Sequence, residues 1–182
     1  SGKIFVSIAC FCDPDVVHTV NDCLDKAGSP ARVEIGVCLQ AEPNDNSYDA
    51  LNDIAQVTVD RIDVTEARGP IYARARCEAL MTDADYFLQI DCHSRFFSGW
   101  DEILIQEFGK ALEFNDNAVL SHYPMNIKNM TSSDHLDRIG HVNRYRYIEA
   151  DSIKSHGSLI KLPEMPTTSL GISAAMLFMR AE

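Results

Sequence analysis

The chain has 182 residues, 46% of them hydrophobic and 24% charged, and its 16 Lys and Arg against 27 Asp and Glu give a formal net charge of -11. That length suits one well-buried domain and is short for two, while the acidic balance argues against a nucleic-acid surface or an anionic membrane as partner. An anionic ligand would have to find local positive charge in a metal, in arginines or at helix N-termini.

In chain order, Lys3 and the apolar residues 4–11 could pass for a short secretory core, but they run straight into Asp13-Pro14-Asp15 without a small-residue cleavage site and read as a first strand. Asp13 as cap and Pro14 at the first helical position predict a helix start. Val16, Val17, Val20, Cys23, Leu24 and Ala27 carry that helix as an apolar stripe, and Gly28 and Pro30 end it. Residues 33–39 predict a second strand, 40–49 a loop rich in Asn, Asp and Pro, and 57–62 a third strand of alternating polarity. Pro70 opens a helix to about Met81, and 86–90 is a short, buried apolar strand, the central one. A helix over 100–114 presents Ile103, Leu104, Phe108 and Leu112, and residues 119–123 predict another strand. From Pro124 to about Ser158 the periodicity dissolves and predicts a long functional loop, followed by strand candidates at 159–162 and 172–179.

The six cysteines, at 10, 12, 23, 38, 77 and 92, form no Cys-x-x-Cys pair and no zinc-finger spacing. Most lie within or beside apolar runs, which predicts free buried thiols in a reducing compartment, with Cys10-x-Cys12 the pair most open to reaction. No apolar run approaches the roughly 20 residues of a membrane span. There is no repeat, low-complexity tract or linker, so residues 1–182 are expected to form a single domain.

Alternating strands and helices predict an α/β fold with a mostly parallel sheet and helices on both faces. Ligands then bind beyond the carboxyl ends of the strands. The unusual residues fall there: Cys12 and Asp13 after the first strand, Gln40 and Glu42 after the second, 63–69 after the third, Asp91 and His93 after the fourth. Neither Gly-x-Gly-x-x-Gly nor a P-loop is present. If extension persists past Ile90, a period of two puts Asp91 and His93 on one face and Cys92 on the other. A carboxylate and an imidazole there could hold one divalent cation, and mixed oxygen and nitrogen ligands suit manganese, zinc or iron better than calcium. An Asp-x-His pair is also a common sequence without any metal role.

Together, residues 6–9 followed by Asp13-Pro14, Ala67-Arg68-Gly69-Pro70 with Ala73-Arg74, residues 88–96, and Gly99-Trp100-Asp101 resemble glycosyltransferases of the GT-A fold, a Rossmann-like nucleotide-diphospho-sugar transferase architecture. They are most similar to the group that transfers N-acetylglucosamine from a UDP-sugar to protein hydroxyls, including hydroxyproline, in the cytoplasm. The resemblance covers most of residues 4–123, with a weaker echo at 171–180. It implies that Asp91 and His93 occupy the Asp-x-His position that holds a manganese ion, or another divalent cation, on the diphosphate. It further implies that Ala9 and Gln40 lie near the uridine, that Arg74 holds the donor against its helix with Arg68 nearby, and that the acceptor is a protein or glycan hydroxyl. Gln40 departs from the pattern, since many relatives carry aspartate there.

Breaking a sugar-diphosphate bond develops negative charge on the leaving phosphate, which a cation and arginines would stabilise. No pair of carboxylates stands out as nucleophile and acid, so catalytic residues stay unassigned. Other readings accompany each residue. Arg74, Arg76 and Glu78 could form a solvated ion pair, Arg68 could only shape a turn, and Trp100 reads as a packing anchor before a sugar platform. His18 sits on a polar helix face, and His122, His135, His141 and His156 are the candidates for a third metal ligand. In relatives the domain continues past the strand at 172–179 with acceptor-binding acids and a further metal-binding histidine. An end at Glu182 therefore implies a domain truncated on its acceptor side or completed by a partner chain. Two alternatives to the transferase are a nucleotide-sugar-binding module without turnover and a metal-dependent hydrolase, the latter requiring a tight further cluster of His and Asp.

Overall fold

A computed structural model describes residues 2–124, 138–148, 152–161, 165, 167–169 and 171–181. The elements are β1 (Ile4–Phe11), α1 (Asp15–Lys26), β2 (Val33–Ala41), β3 (Val57–Asp63), α2 (Pro70–Glu78), β4 (Tyr86–Asp91), α3 (Trp100–Leu112), β5 (Leu120–Ser121), β6 (Arg138–Ile148), β7 (Ser152–Lys161) and β8 (Met176–Arg180). Six strands form one sheet in the order β3-β2-β1-β4-β8-β5. The first four are mutually parallel, and β8 runs antiparallel to both β4 and β5. The sheet is thus mixed on one side, where an all-parallel continuation would have required another crossover.

Period-two alternation in β1 divides the interior. Ile4, Val6, Ile8 and Cys10 join Val16, Val20 and Cys23 of α1 and Trp100 and Phe108 of α3 in the larger core. On the opposite face Ala9 borders a smaller cluster made by Cys38 of β2, Ile62 of β3, and Ala73 and Cys77 of α2. Helices therefore cover both faces, as the alternation of the sequence predicts. All six cysteines are free; only Cys12 is exposed. Trp100 is a packing anchor: it is 5% exposed, its ring centroid lies 4.8 Å from that of Phe96, and its indole N–H donates to Cys23 O at 2.8 Å.

The elements depart from expectation in several places. Pro14, not Asp13, is the N-cap of α1; the Asp13 carboxylate nevertheless accepts the Asp15 N–H at 3.0 Å, so it satisfies a donor of the first turn from one residue further out. β2 extends through Gln40 and Ala41, residues expected in a loop, because both are buried and hydrogen-bonded to β3 in register. α2 and α3 stop at Glu78 and Leu112, short of Met81 and Phe114, and β5 is only Leu120–Ser121. The stretch from Pro124 to Ser158 is not wholly loop: β6 and β7 pair antiparallel as a separate hairpin, with a register shift between Val142 and Arg144. Of the late strand candidates, 159–161 lies in β7, residue 162 falls outside the described residues, and only Met176–Met179 of the second is strand.

Asp101 in the first turn of α3 is fully buried and ties α3 to the end of α1. It accepts Gly28 N–H at 2.7 Å and Ser29 N–H at 3.0 Å, and the Arg32 guanidinium reaches it at 2.8 and 3.1 Å. Burial alone would raise this carboxyl, but the Gly28 N–H, Arg32 and the Ser29 N–H outweigh it and hold the group below its ordinary value of 3.8. A depressed carboxyl contributes stability above its unfolded pKa and loses it as pH falls through the folded one. Asp101→Asn is expected to cost about 2–4 kcal/mol at pH 7, since it leaves Arg32 without its anion. Urea unfolding across pH checks this: the gap to the wild type should begin to narrow below about pH 4, near the unfolded carboxyl value, and close only as pH falls through the lower folded one.

Candidate active site

Four parallel strands end at one edge of the sheet, and their register decides which residues meet there. Ala9 of β1 stands opposite Cys38 of β2 and Asp91 of β4, and Phe11 stands opposite Gln40. Beside these ends a cavity of about 570 Å³ is lined by Ala9, Phe11, Gln40, Val64, Ala67, Gly69 and Pro70. Gly69 takes φ 85°, a left-handed conformation that Cβ-bearing residues avoid, and caps α2 so that the helix N-terminus borders the cavity. Gln40 is 3% exposed, its amide N–H donates to Cys10 O at 3.1 Å, and Oε1 is buried with no hydrogen-bond partner among the described residues. That hydrogen bond leaves the acceptor end of the amide as the unmatched one.

Arg74 projects from α2 toward the end of β4. Its Nη2 lies 3.5 Å from Asp91 Oδ1 and 3.2 Å from Ala174 O, and its buried Nε has no partner among the described residues. The Glu78 ion pair considered for it is not among the described salt bridges; Arg76 instead forks onto Asp60, with Nη2 2.7 Å from Oδ1. Arg68 is exposed, with its guanidinium 5.4 Å from the Tyr72 ring centroid.

Extension does not persist to His93. β4 ends at Asp91 and the chain turns through Cys92 and His93, so the two proposed ligands leave the strand in different ways and Cys92 does not face away from His93. His93 Nδ1 sits 3.0 Å from Asp13 Oδ2, and Cys92 Sγ lies 3.7 Å from the same oxygen and 3.8 Å from Nδ1. Asp13, Cys92 and His93 are the described residues close enough to form a ligand cluster; Asp91 pairs with Arg74 beside them. Asp13 was visible in the sequence as a cap and as a residue beyond β1, but not as a partner of His93, because contacts across 80 residues leave no local pattern.

The turn is held from α1. Thr19 Oγ1 donates to Cys92 O at 2.7 Å and accepts Ser94 N–H at 3.0 Å, Arg95 forks onto Asp15 at 2.6 and 3.1 Å, and Phe96 N–H donates to Asp22 at 2.7 Å. Arg95 is thereby committed to structure. Of the histidines weighed as a third ligand, His135 lies outside the described residues, His141 and His156 occupy β6 and β7, and burial lowers the pKa of His122. His18 is exposed on α1, as its polar face predicts.

A family model described as Glycosyltransferase (GlcNAc) matches residues 3–55 and 47–182. The chain belongs to this GlcNAc glycosyltransferase family. No curated protein matches it. Among solved structures, this family member is similar to the mannosyltransferase PcManGT from Pyrobaculum calidifontis in complex with GDP-Man and Mn2+, with TM-score 0.51 and 13% identity over 68% of this chain and 36% of that one. It is also similar to S. aureus TarS 1-349 in complex with UDP-GlcNAc, with TM-score 0.50 and 13% identity over 78% of this chain and 40% of that one. Likeness at that identity shows the fold, an α/β Rossmann-like GT-A architecture, and the family member spans well under half the length of either chain.

The Asp13–His93 contact has a pH signature. Its hydrogen bond to Asp13 is the main reason the His93 imidazole is raised above 6.5, while burial, which would lift the Asp13 carboxyl, is outweighed by the Asp15 N–H and His93, so that Asp13 lies below 3.8. The imidazolium form contributes stability below the unfolded histidine value and loses it as pH rises through the raised folded value. Histidine NMR is expected to show His93 titrating above 6.5, and Asp13→Asn to bring it back toward that value.

Proposed function

We propose that residues 1–182 form one donor-binding glycosyltransferase domain that moves a sugar, N-acetylglucosamine, from a UDP-sugar to a hydroxyl on a protein, hydroxyproline included, or on a glycan. The convergence at one sheet edge carries the proposal: the cavity beside Ala9 and Gln40, and Asp91 one strand away in register with Ala9. The family model supports the transferase class, and its description carries the name of the sugar proposed here. The volume lies in the range of small-molecule sites, and Phe11, 58% exposed at its mouth, offers an aromatic face to a base. The unmatched Gln40 acceptor suits an N–H donor such as the imide of uracil.

The donor set fits a divalent cation. Asp91 offers an oxygen from a side chain 39% exposed and His93 a nitrogen from one 59% exposed, neither sealed in the core, and Asp91 stands in register with Ala9 of the cavity lining. When bound there, a cation such as Mn2+ would act as a Lewis acid on the diphosphate. Arg74 would then place a guanidinium beside the phosphates, with Arg68 nearby, and the N-terminus of α2 would add its own positive end. Such local positive charge is what a chain of net charge -11 needs to hold an anionic donor. The six free thiols suit a cytoplasmic location, and no described helix is long and apolar enough to cross a membrane.

Calorimetric titration with UDP-GlcNAc tests the site. Saturable binding is expected with Mn2+, at least about tenfold weaker with chelator or in Asp91→Asn, whose neutral amide is a poor ligand. Equal affinity with and without metal in the wild type would refute the metal-bridged site. In the same assay Gln40→Ala is expected to weaken binding of UDP itself by about 1–3 kcal/mol, the scale of a lost buried hydrogen bond.

A further inference from the structure

We propose that Asp13 is the positioning residue of the metal centre, accepting the His93 Nδ1–H and so reserving Nε2 as the nitrogen that binds the cation. The inference rests on the reading of Asp91 and His93 as metal ligands. An ionised carboxylate can only accept, so the 3.0 Å contact between Asp13 Oδ2 and His93 Nδ1 places the proton on Nδ1. No described residue bonds Nε2. A histidine that binds metal through one nitrogen commonly donates from the other to a carboxylate, which fixes both tautomer and ring orientation.

Asp13 is itself held for this task. Its Oδ1 accepts the Asp15 N–H at 3.0 Å, which leaves Oδ2 for His93, and its place before α1 sets the anion against the positive end of that helix. The same helix holds the imidazole side of the contact: Thr19 bonds Cys92 O and Ser94 N, one residue either side of His93. Carboxylate and imidazole are therefore registered to one rigid element, and the ring is not left to rotate in solvent although its side chain is 59% exposed. Cys92 Sγ, 3.7 Å from Oδ2, adds a weak donor on the buried side.

Two measurements test the proposal. With Zn2+ as a diamagnetic probe, 15N NMR of histidine-labelled wild type should show the His93 Nε2 resonance shifted by metal while Nδ1 keeps its proton. Metallation at Nδ1 would make Asp13 a direct ligand, or no partner at all, and overturn the proposal. Free Mn2+ counted by electron paramagnetic resonance then gives affinity without any turnover. Asp13→Ser keeps an oxygen for the Asp15 N–H but is too short to reach His93, so Mn2+ affinity should fall about tenfold to hundredfold with little change in melting temperature. Asp13→Asn, which keeps a neutral acceptor, should fall between Asp13→Ser and wild type. Unchanged affinity in Asp13→Ser overturns the positioning role while leaving the Asp91 and His93 site standing. Absence of saturable metal binding in the wild type overturns the site and the positioning role together.

Discussion

Burial of β1 on both faces is the constraint on which the rest of the molecule depends. Its even residues enter the core under α1 and α3, and Ser7 and Ala9 face the side covered by α2. A slip of one residue would exchange those sets and put Ile4, Val6 and Ile8 where the close packing of Cys38, Ala73 and Cys77 leaves little room. Because both neighbours of β1 are parallel to it, the same register that satisfies the two cores also brings Ala9, Gln40 and Asp91 to one edge. The placement of the candidate site is thus a by-product of packing chosen several residues away.

Beyond that edge the backbone is no longer held by a ladder, and side chains of α1 take over. Thr19, Asp15 and Asp22 bind the segment after β4 through its carbonyls, amides and Arg95, while Asp101 locks the far end of α1 to α3. The acidic residues of α1 are used to fix loops, so the net charge of -11 overstates how hostile the site is to an anion. Locally Arg74 reaches Asp91 at the end of β4 and the N-terminus of α2 borders the cavity, and a metal would add to them.

Much of this was legible in the sequence. Short apolar strands bounded by turn residues, and helices with a 3.6-residue stripe, announce themselves because burial of one face is a local pattern. Gln40, Asp91 and His93 stood out as candidates because strand ends in such sheets are where ligands bind, whereas Ala9 and Arg74 were singled out by the resemblance to GT-A transferases. Three features were not legible, each for a physical reason. Gln40 looked like loop because its burial comes from an amide bonding Cys10 O, not from an apolar side chain. β6 alternates Arg with Tyr over 144–147 and β7 mixes Ser, Lys and His with a few apolar residues, so neither carries a plain apolar stripe and only their backbone pairing reveals them. The turn at Cys92 and His93 depends on Thr19 and Asp13, more than 70 residues away in sequence.

The most direct measurement is a crystal structure with UDP-GlcNAc and Mn2+, using anomalous scattering at the manganese edge to place the ion. The account predicts one anomalous peak within ligand distance of Asp91 and His93 Nε2, with the uracil in the cavity beside Gln40 and the diphosphate toward Arg74. A peak elsewhere, or a nucleotide bound away from Ala9 and Gln40, would contradict it.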